Sequence, residues 1–198
     1  MPFILDEDAG IKALLAGMTV TDEKNAVRRV NVWFGMPDVE IRARSFPFVT
    51  VDLISLAEDP ARQMSGGYRH DWSYTPEGFP SKVRSSDVYF SALPAQAYTM
   101  TYQVSTWARN PRHDRELLAQ LLSSRLPLRW GHCTVGTGAA RTVRRLDVRM
   151  DKRDRADTDG KRLFRNVFTC AMSSELFFWQ VQAIQAATTV SINVTTSG

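Results

Sequence analysis

Two different periods of hydrophobic and polar positions run along the chain, and each predicts one type of secondary structure. A helical period covers residues from Asp6 to about Met18 and predicts a short amphipathic helix with acidic residues in its first turn. A second helix is predicted to begin at Asn110-Pro111, because asparagine caps helix N-termini and proline suits the first helical position, and to end near Arg125. Its apolar stripe consists of Leu117, Leu118, Leu121 and Leu122.

Alternation with a period of two predicts strands. The clearest segment is Tyr98 to Ala108, where apolar residues on one face alternate with Thr, Gln and Ser on the other. Two further alternating segments flank Asp159-Gly160, a dipeptide typical of tight hairpin turns, so we expect them to pair antiparallel. The predicted strands cover Ala26 to Phe34, Val39 to Leu56, Tyr98 to Ala108, Val143 to Met150 and Phe164 to Met172.

The segment from Ala57 to Leu93 shows neither period and is rich in Pro, Gly, Ser and aromatic residues. Loops this long are uncommon in compact domains and are either functional or disordered, and the aromatic content argues against plain disorder. Two interpretations stay open: an extended arm that becomes ordered against a neighbouring molecule, or a loop folded back onto its own domain. The aromatic residues expected to make arm contacts are Trp72, Tyr74 and Phe79.

Together these elements predict an α+β fold: a mostly antiparallel β-sheet flanked by two or three helices, with a long inserted loop or arm at about 57–93. The chain has 198 residues and 43% hydrophobic content, enough to bury one sizeable core, so we expect a single domain over 1–198. The stretch at about 188–198 is rich in Thr, Val and Ser and is expected to add an edge strand or to hang free.

Composition also indicates the compartment. No stretch approaches the roughly 20 apolar residues that cross a bilayer, and residues 1–10 are acidic where a signal peptide is basic and then apolar. We therefore expect neither a membrane span nor a signal peptide. The two cysteines, Cys133 and Cys170, are far apart in sequence, which favours a reducing compartment over a disulfide scaffold.

The formal net charge is +4, and its distribution matters more than its size. Positive residues are concentrated between Arg141 and Arg165, but aspartates are interleaved with them. A mixed-sign segment is typical of a solvated face or a charge-complementary protein interface, and arginine in excess of lysine favours interfaces. The residues predicted to contact other subunits or partners are Arg144, Arg145, Asp147, Arg149, Arg162 and Arg165.

Candidate catalytic and metal-binding groups are sparse in the sequence. His132-Cys133 lacks the further ligands of a structural zinc site and the positioned base that a cysteine nucleophile needs. The run from Asp154 to Gly160 has the wrong spacing for a calcium loop, and Gly136-Thr137-Gly138 lacks the Lys-Ser/Thr ending of a phosphate loop. We therefore predict no catalytic residue, no metal and no cofactor, and expect that the chain is not an enzyme.

Three segments, taken in order, carry a family resemblance. They are the strand Phe46-Pro47-Phe48-Val49-Thr50-Val51, then Tyr102-Gln103-Val104-Ser105-Thr106-Trp107-Ala108 with the leucine-rich helix that follows, and then the charged hairpin ending in Leu163-Phe164-Arg165-Asn166-Val167-Phe168. This arrangement resembles the tail-terminator and neck-completion proteins of tailed bacteriophages, over most of residues 26–178. The segment at 57–93 departs from the compact pattern of that family.

The resemblance implies a structural virion protein that caps the phage tail tube as a ring, usually a hexamer, and joins the tail to the head or neck. Its implied partners are further copies of itself, tail tube and sheath proteins, and neck or connector proteins, with at most transient contact with packaged DNA and none with membranes. The implied location is the tail or neck of the virion, after assembly in the host cytoplasm. The alternatives are another neck or head-tail connector subunit and a nucleic-acid-binding module.

Overall fold

The computed structural model describes residues 4–23, 25–38, 46–64, 68–70, 72–74, 80–84, 88–92, 94–138, 141–158, 161–176 and 181–185. Its helices are α1 (Leu5–Leu15) and α2 (Pro111–Gln120), and α2 continues into a π-helical turn (Leu121–Arg125). Its strands are β1 (Thr19–Thr21), β2 (Val27–Arg29), β3 (Asn31–Phe34), β4 (Phe48–Glu58), β5 (Tyr68–His70), β6 (Trp72–Tyr74), β7 (Pro80–Arg84), β8 (Val88–Ala92), β9 (Gln96–Ala108), β10 (Gly131–Val135), β11 (Thr142–Thr158), β12 (Lys161–Leu176) and β13 (Val181–Gln185).

The Cα positions group the chain into two compact units, where the sequence predicted one domain. The first unit comprises Met1–Pro60 and Ala97–Glu175, and the second comprises Ala61–Gln96 and Leu176–Gly198. In the second unit, β13, β8 and β5 form a three-stranded sheet in that order, and β6 pairs with β7. Short strands therefore lie within the segment at 57–93, for which the sequence predicted an inserted loop or arm.

A six-stranded sheet forms the framework of the first unit, in the order β10-β11-β12-β9-β4-β3. β10 and β12 both pair antiparallel with β11, β9 pairs antiparallel with β4, and β3 runs parallel to β4. The β11–β12 hairpin is paired up to Thr158 and Lys161, which confirms the antiparallel pairing predicted for these strands. The mostly antiparallel sheet and its two helices confirm the predicted α+β class.

The core lies on one face of this sheet, beneath the helices. The inward residues of β9, Met100, Tyr102 and Val104, are fully buried, which confirms the alternation predicted for that strand. They form one cluster with Ile11 of α1 and Leu117 of α2. We call the opposite face of the six-stranded sheet the outer face.

Helix α1 is held against β10 and β12 by close packing and by a buried carboxylate. Glu7 is almost fully buried and accepts a hydrogen bond from the Ser174 hydroxyl at 2.5 Å. Gly10 brings the helix close to β10, because a Cβ at this position would lie 2.8 Å from the backbone oxygen of Thr134. The predicted helix is therefore confirmed, and its glycine is required by the packing.

Helix α2 begins where the sequence predicted. The Asn110 side chain accepts a hydrogen bond from the backbone N–H of Arg112 at 2.9 Å, which satisfies one of the free donors at the helix N-terminus. On its flank, Glu116 accepts from the backbone N–H of Thr21 at 2.6 Å. The helix therefore holds the β1–β2 hairpin as well as the sheet.

The prediction of one strand from Ala26 to Phe34 is wrong, because the segment divides between two sheets. Val30 lies between β2 and β3, its side chain is buried, and its backbone N–H donates to the Met18 oxygen at 3.0 Å. β2 pairs antiparallel with β1, whereas β3 joins the large sheet beside β4. A local period of two continues through such a transfer, so the pattern alone does not show it.

Candidate interaction surface

The outer face of β11 carries the charged residues that the sequence singled out. Leu146 and Val148 point into the core, whereas the residues between them, Arg145, Asp147 and Arg149, point outward. This follows from the period of two in a strand, and it confirms the predicted alternation. The structure therefore brings three of the six predicted interface residues together on one exposed strip.

The charges on this strip neutralise one another in pairs. Arg145 contacts Asp147 at 3.0 Å, and Arg149 contacts Asp151 at 2.5 Å. Residues two positions apart lie on the same face of a strand, so alternating signs along the sequence become neighbouring ion pairs. We call these four residues the charge ladder.

Asp151 has a second partner across the strands. The Thr169 hydroxyl of β12 donates a hydrogen bond to the Asp151 carboxylate. This bond, followed by the contact with Arg149, holds the pKa of Asp151 below its usual value. The ladder is therefore tied to β12 through Asp151.

An open groove of about 560 Å³ lies beside the charge ladder. Its floor is formed by small side chains of β9 and β12, its first wall by β11, and its second wall by the segment that precedes β10. The lining residues are Thr101, Arg129, Trp130, Arg145, Asp147, Val148, Arg149, Thr169 and Ala171.

Trp130 is the most exposed large apolar residue of the described part of the chain, with 81% of its surface accessible. An indole left this open at the edge of a groove is unusual, because tryptophan is highly buried on average. No hydrophobic or charge pattern in the sequence indicated this residue as a candidate. The available signal was its position after Pro127, outside any apolar period that would bury it.

Two backbone features hold Trp130 at the groove. Arg129 has a positive φ of 76°, a conformation that non-glycine residues rarely adopt, and its N–H donates to the Val148 oxygen at 3.3 Å. At Gly131, an added Cβ would lie 2.8 Å from the Leu146 oxygen, so only glycine lets β10 approach β11 this closely. The tryptophan is thus fixed in place by its two neighbours in sequence.

Arg144 and Arg162 lie away from the groove. The Arg144 side chain is only 11% exposed and contacts Glu175 at 3.0 Å, so it is engaged within the subunit. Arg162 is exposed near the end of the β11–β12 hairpin. Neither residue lines the groove.

Arg165 packs against an aromatic cluster at the other side of the outer face. Its guanidinium lies 4.7 Å from the centre of the Trp107 ring, and the Trp107 ring stacks on buried Phe48. The Trp107 indole N–H donates to the Thr50 hydroxyl at 3.1 Å. Arg165 therefore covers aromatic surface of its own subunit, a cation–π contact that the sequence pattern did not indicate.

The side chains predicted to form the aromatic arm fall outside the described residues. The backbone of Trp72 and Tyr74 forms part of β6, but their side chains are not among the described ones. Phe79 and the predicted tail at 188–198 also lie outside the described residues.

The described side chains offer little metal or thiol chemistry. No group of three or more His, Cys, Asp or Glu residues is placed to hold a metal ion among them. Burial raises the pKa of Cys133 to about 11 and that of Cys170 to about 12, so both thiols stay protonated at neutral pH. Neither helix in the described ranges combines the length and the apolar character that crossing a bilayer requires.

Comparisons with known proteins find similarity to solved structures. No family model matches the chain, and no curated protein matches it. A solved structure that matches is the sheath/tube terminator, in its extended state, of PVC, an extracellular contractile injection system studied by cryo-EM. The identity is 11% and the TM-score 0.48, over 100% of this chain and 65% of that chain. The chain thus spans 65% of the length of the protein it matches.

Proposed function

We propose that this chain is a non-catalytic structural subunit, a tail terminator that caps a phage-type tail tube as a ring. The observation that carries the proposal is Trp130, exposed at the wall of a groove that is floored by Thr101, Thr169 and Ala171. Exposed aromatic residues beside well-shaped pockets are typical of the centres of protein–protein interfaces. The surface is therefore suited to binding a protein.

The electrostatics of the surface support a protein partner over a nucleic acid. Binding to a phosphate backbone needs cationic groups that are free to replace its counterions. In the charge ladder, both Arg145 and Arg149 already contact a carboxylate, so the strip has little net charge. Paired guanidinium groups of this kind are common at the rims of protein interfaces, where they give specificity.

The finer assignment follows from the family resemblance. The ring is proposed to be a hexamer, its partners are proposed to be tail tube, sheath and neck or connector proteins, and its location is the tail or neck of the virion. A ring needs contacts that close by rotation, and the groove provides a surface for such a contact.

Mass measurement by sedimentation velocity tests this proposal. In the presence of the cognate tail tube we expect a ring-sized species. The double substitution Arg145→Glu and Arg149→Glu should weaken its formation at least about tenfold, because both changes place like charges beside Asp147 and Asp151. Arg115→Glu, at an exposed position of α2, is the matched control and should leave assembly unchanged. A wild-type chain that stays monomeric with the tube present would contradict the proposed function.

A further inference from the structure

A row of three aromatic rings in the first unit carries an arginine at each end. The Arg109 guanidinium lies 4.3 Å from the centre of the Phe46 ring, and the Arg165 guanidinium lies 4.7 Å from the centre of the Trp107 ring. Between them, Phe46 contacts Phe48 at 5.0 Å and Phe48 stacks on Trp107 at 6.1 Å between ring centres. We call these five residues the arginine–aromatic stack. They are separate from the residues that line the groove beside the charge ladder.

Neither arginine of the stack has a carboxylate partner in the part of the chain that the structure describes. Asp154 lies opposite Arg165 in the β11–β12 register, but Lys152 holds it at 2.8 Å. The Arg165 guanidinium makes one hydrogen bond to a described residue, from Nη2 to the Ser105 hydroxyl at 3.5 Å, and its buried Nε makes none there. Arg109 is exposed. Both cations therefore keep a hydrogen-bonding capacity that the described part of their own subunit does not use.

The rings determine which part of each guanidinium is free. A guanidinium is planar, its flat face packs on an aromatic ring, and its N–H donors point outward in its plane. Because a ring occupies one face of each cation, the groups left for a partner are the N–H edges, which suit the two oxygens of a carboxylate. The packing also restrains these long side chains before binding, so less conformational freedom is lost when an anion binds.

The stack suits carboxylates better than a nucleic acid. A single strand binds aromatic residues by placing its bases on free ring faces. Phe48 lies on β4 and Arg165 on β12, with β9 between them, so the Trp107 ring is covered from both sides. A duplex binds through many free cations, whereas here three rings separate two of them. The surface therefore favours a partner whose negative charges are separated by apolar atoms.

We propose that the arginine–aromatic stack binds an acidic segment of a partner protein, with one carboxylate at Arg109, another at Arg165 and an apolar side chain against the edges of the rings. Phe46 and Trp107 are half-buried, so apolar surface stays accessible between the two cations. Opposite charges placed around an apolar centre give a contact specificity. This surface is additional to the groove, and the inference does not depend on formation of a ring.

Fluorescence anisotropy of a labelled peptide tests this inference with the full chain. The probe is a short peptide in which glutamates flank a central leucine. In about 0.15 M salt, where charges more than about 8 Å apart are largely screened, we expect saturable binding. The double substitution Arg109→Gln and Arg165→Gln should weaken binding at least about tenfold, because both carboxylates lose their partner. The same peptide with glutamine in place of glutamate should not bind.

Two further double variants separate this site from the overall charge of the protein. Arg115→Gln with Arg141→Gln removes the same charge at exposed positions outside the stack and should leave the affinity unchanged. Arg109→Lys with Arg165→Lys keeps the charge but loses the planar fork, so it should bind nearly as weakly as the double glutamine variant of the stack. The thermal unfolding midpoint of each variant checks that it is folded.

Four results would overturn the inference. Equal losses in the stack variant and the Arg115 and Arg141 control would show attraction to overall charge alone, and full affinity in the double lysine variant would show that the guanidinium geometry plays no part. Tighter binding of a labelled DNA strand or duplex of the same charge would assign the surface to nucleic acid. Absence of saturable peptide binding to the wild type would exclude the site. Ring formation is measured separately by sedimentation velocity, so none of these results decides the proposed function.

Discussion

The two faces of the β11–β12 hairpin both contain arginine–aspartate pairs, but the pairs are built in different ways. On the core face, Arg153 contacts Asp114 of α2 at 2.7 Å, and the Asn166 amide donates to the same carboxylate at 2.6 Å. Asn166 also donates to the Thr106 hydroxyl at 2.9 Å. On the outer face, the charge ladder joins residues of a single strand.

The pair on the core face stabilises the fold, whereas the pairs on the outer face stay accessible at the surface. Asp114 is 1% exposed and connects α2, β11 and β12, so its contacts exist only when the helix is docked on the sheet. A buried charge that loses its partners is strongly destabilising, whereas exposed ion pairs contribute little. The core-face pair thus fixes the position of α2, and the ladder leaves its groups accessible to a partner.

The largest effect is expected from Asp114→Ala. The substitution removes the acceptor of one Asn166 amide N–H, which keeps the other bond to Thr106, and of the half-exposed Arg153 guanidinium. Because two hydrogen bonds to a charged group are lost, we expect the free energy of unfolding to fall by about 3 kcal/mol. Urea denaturation measures this change. Asp147→Ala, which breaks an exposed pair, is the control and should cost no more than about 0.5 kcal/mol. Equal losses for the two variants would remove the distinction between the faces.

An intermediate effect is expected from Gly131→Ala. The added Cβ meets the backbone oxygen of Leu146, so β10 must move away from β11, at a cost of about 1–3 kcal/mol in unfolding free energy. Thr134→Ala, on the same strand, adds no atom and is the matched control. Thermal unfolding compares the two variants. An unchanged unfolding midpoint for Gly131→Ala would show that β10 and β11 accommodate the added methyl group without moving apart.

The smallest effect concerns Thr169→Val, which removes the hydroxyl from Asp151 and keeps the shape. Because that hydrogen bond is the main cause of the lowered pKa of Asp151, the pKa should rise toward the ordinary value of 3.8. A lowered folded-state pKa stabilises the fold above pH 3.8 and loses that contribution as the pH falls through the folded value. In the variant, Asp151 should therefore contribute less to the loss of stability at low pH. Titration of the Asp151 carboxylate followed by NMR measures the change in its pKa. Thr101→Val is the control, and an unshifted Asp151 in Thr169→Val would contradict the assignment.

Local patterns in the sequence predicted both helices and the four long strands β4, β9, β11 and β12. The period of α1, the Asn110-Pro111 cap and the alternation of β9 are properties of a few neighbouring residues, and the structure confirms them. The same reasoning placed Arg145, Asp147 and Arg149 on an exposed strip, because alternation determines which face a side chain occupies.

The remaining features depend on residues far apart in sequence. Arg144 was grouped with the strip, but Glu175 engages it, and Arg165 packs on Trp107. Trp130 becomes prominent only because β9, β11 and β12 create a groove next to it. Sheet order and long-range pairing decide these contacts, and neither leaves a periodic signal in one sequence.

The paired charges of the ladder also determine how this surface interacts with a polyanion. A guanidinium that already holds a carboxylate has little attraction left for a phosphate, and its neighbouring aspartate repels one. The four residues of the ladder therefore present no net cationic charge to which a polyanion could bind.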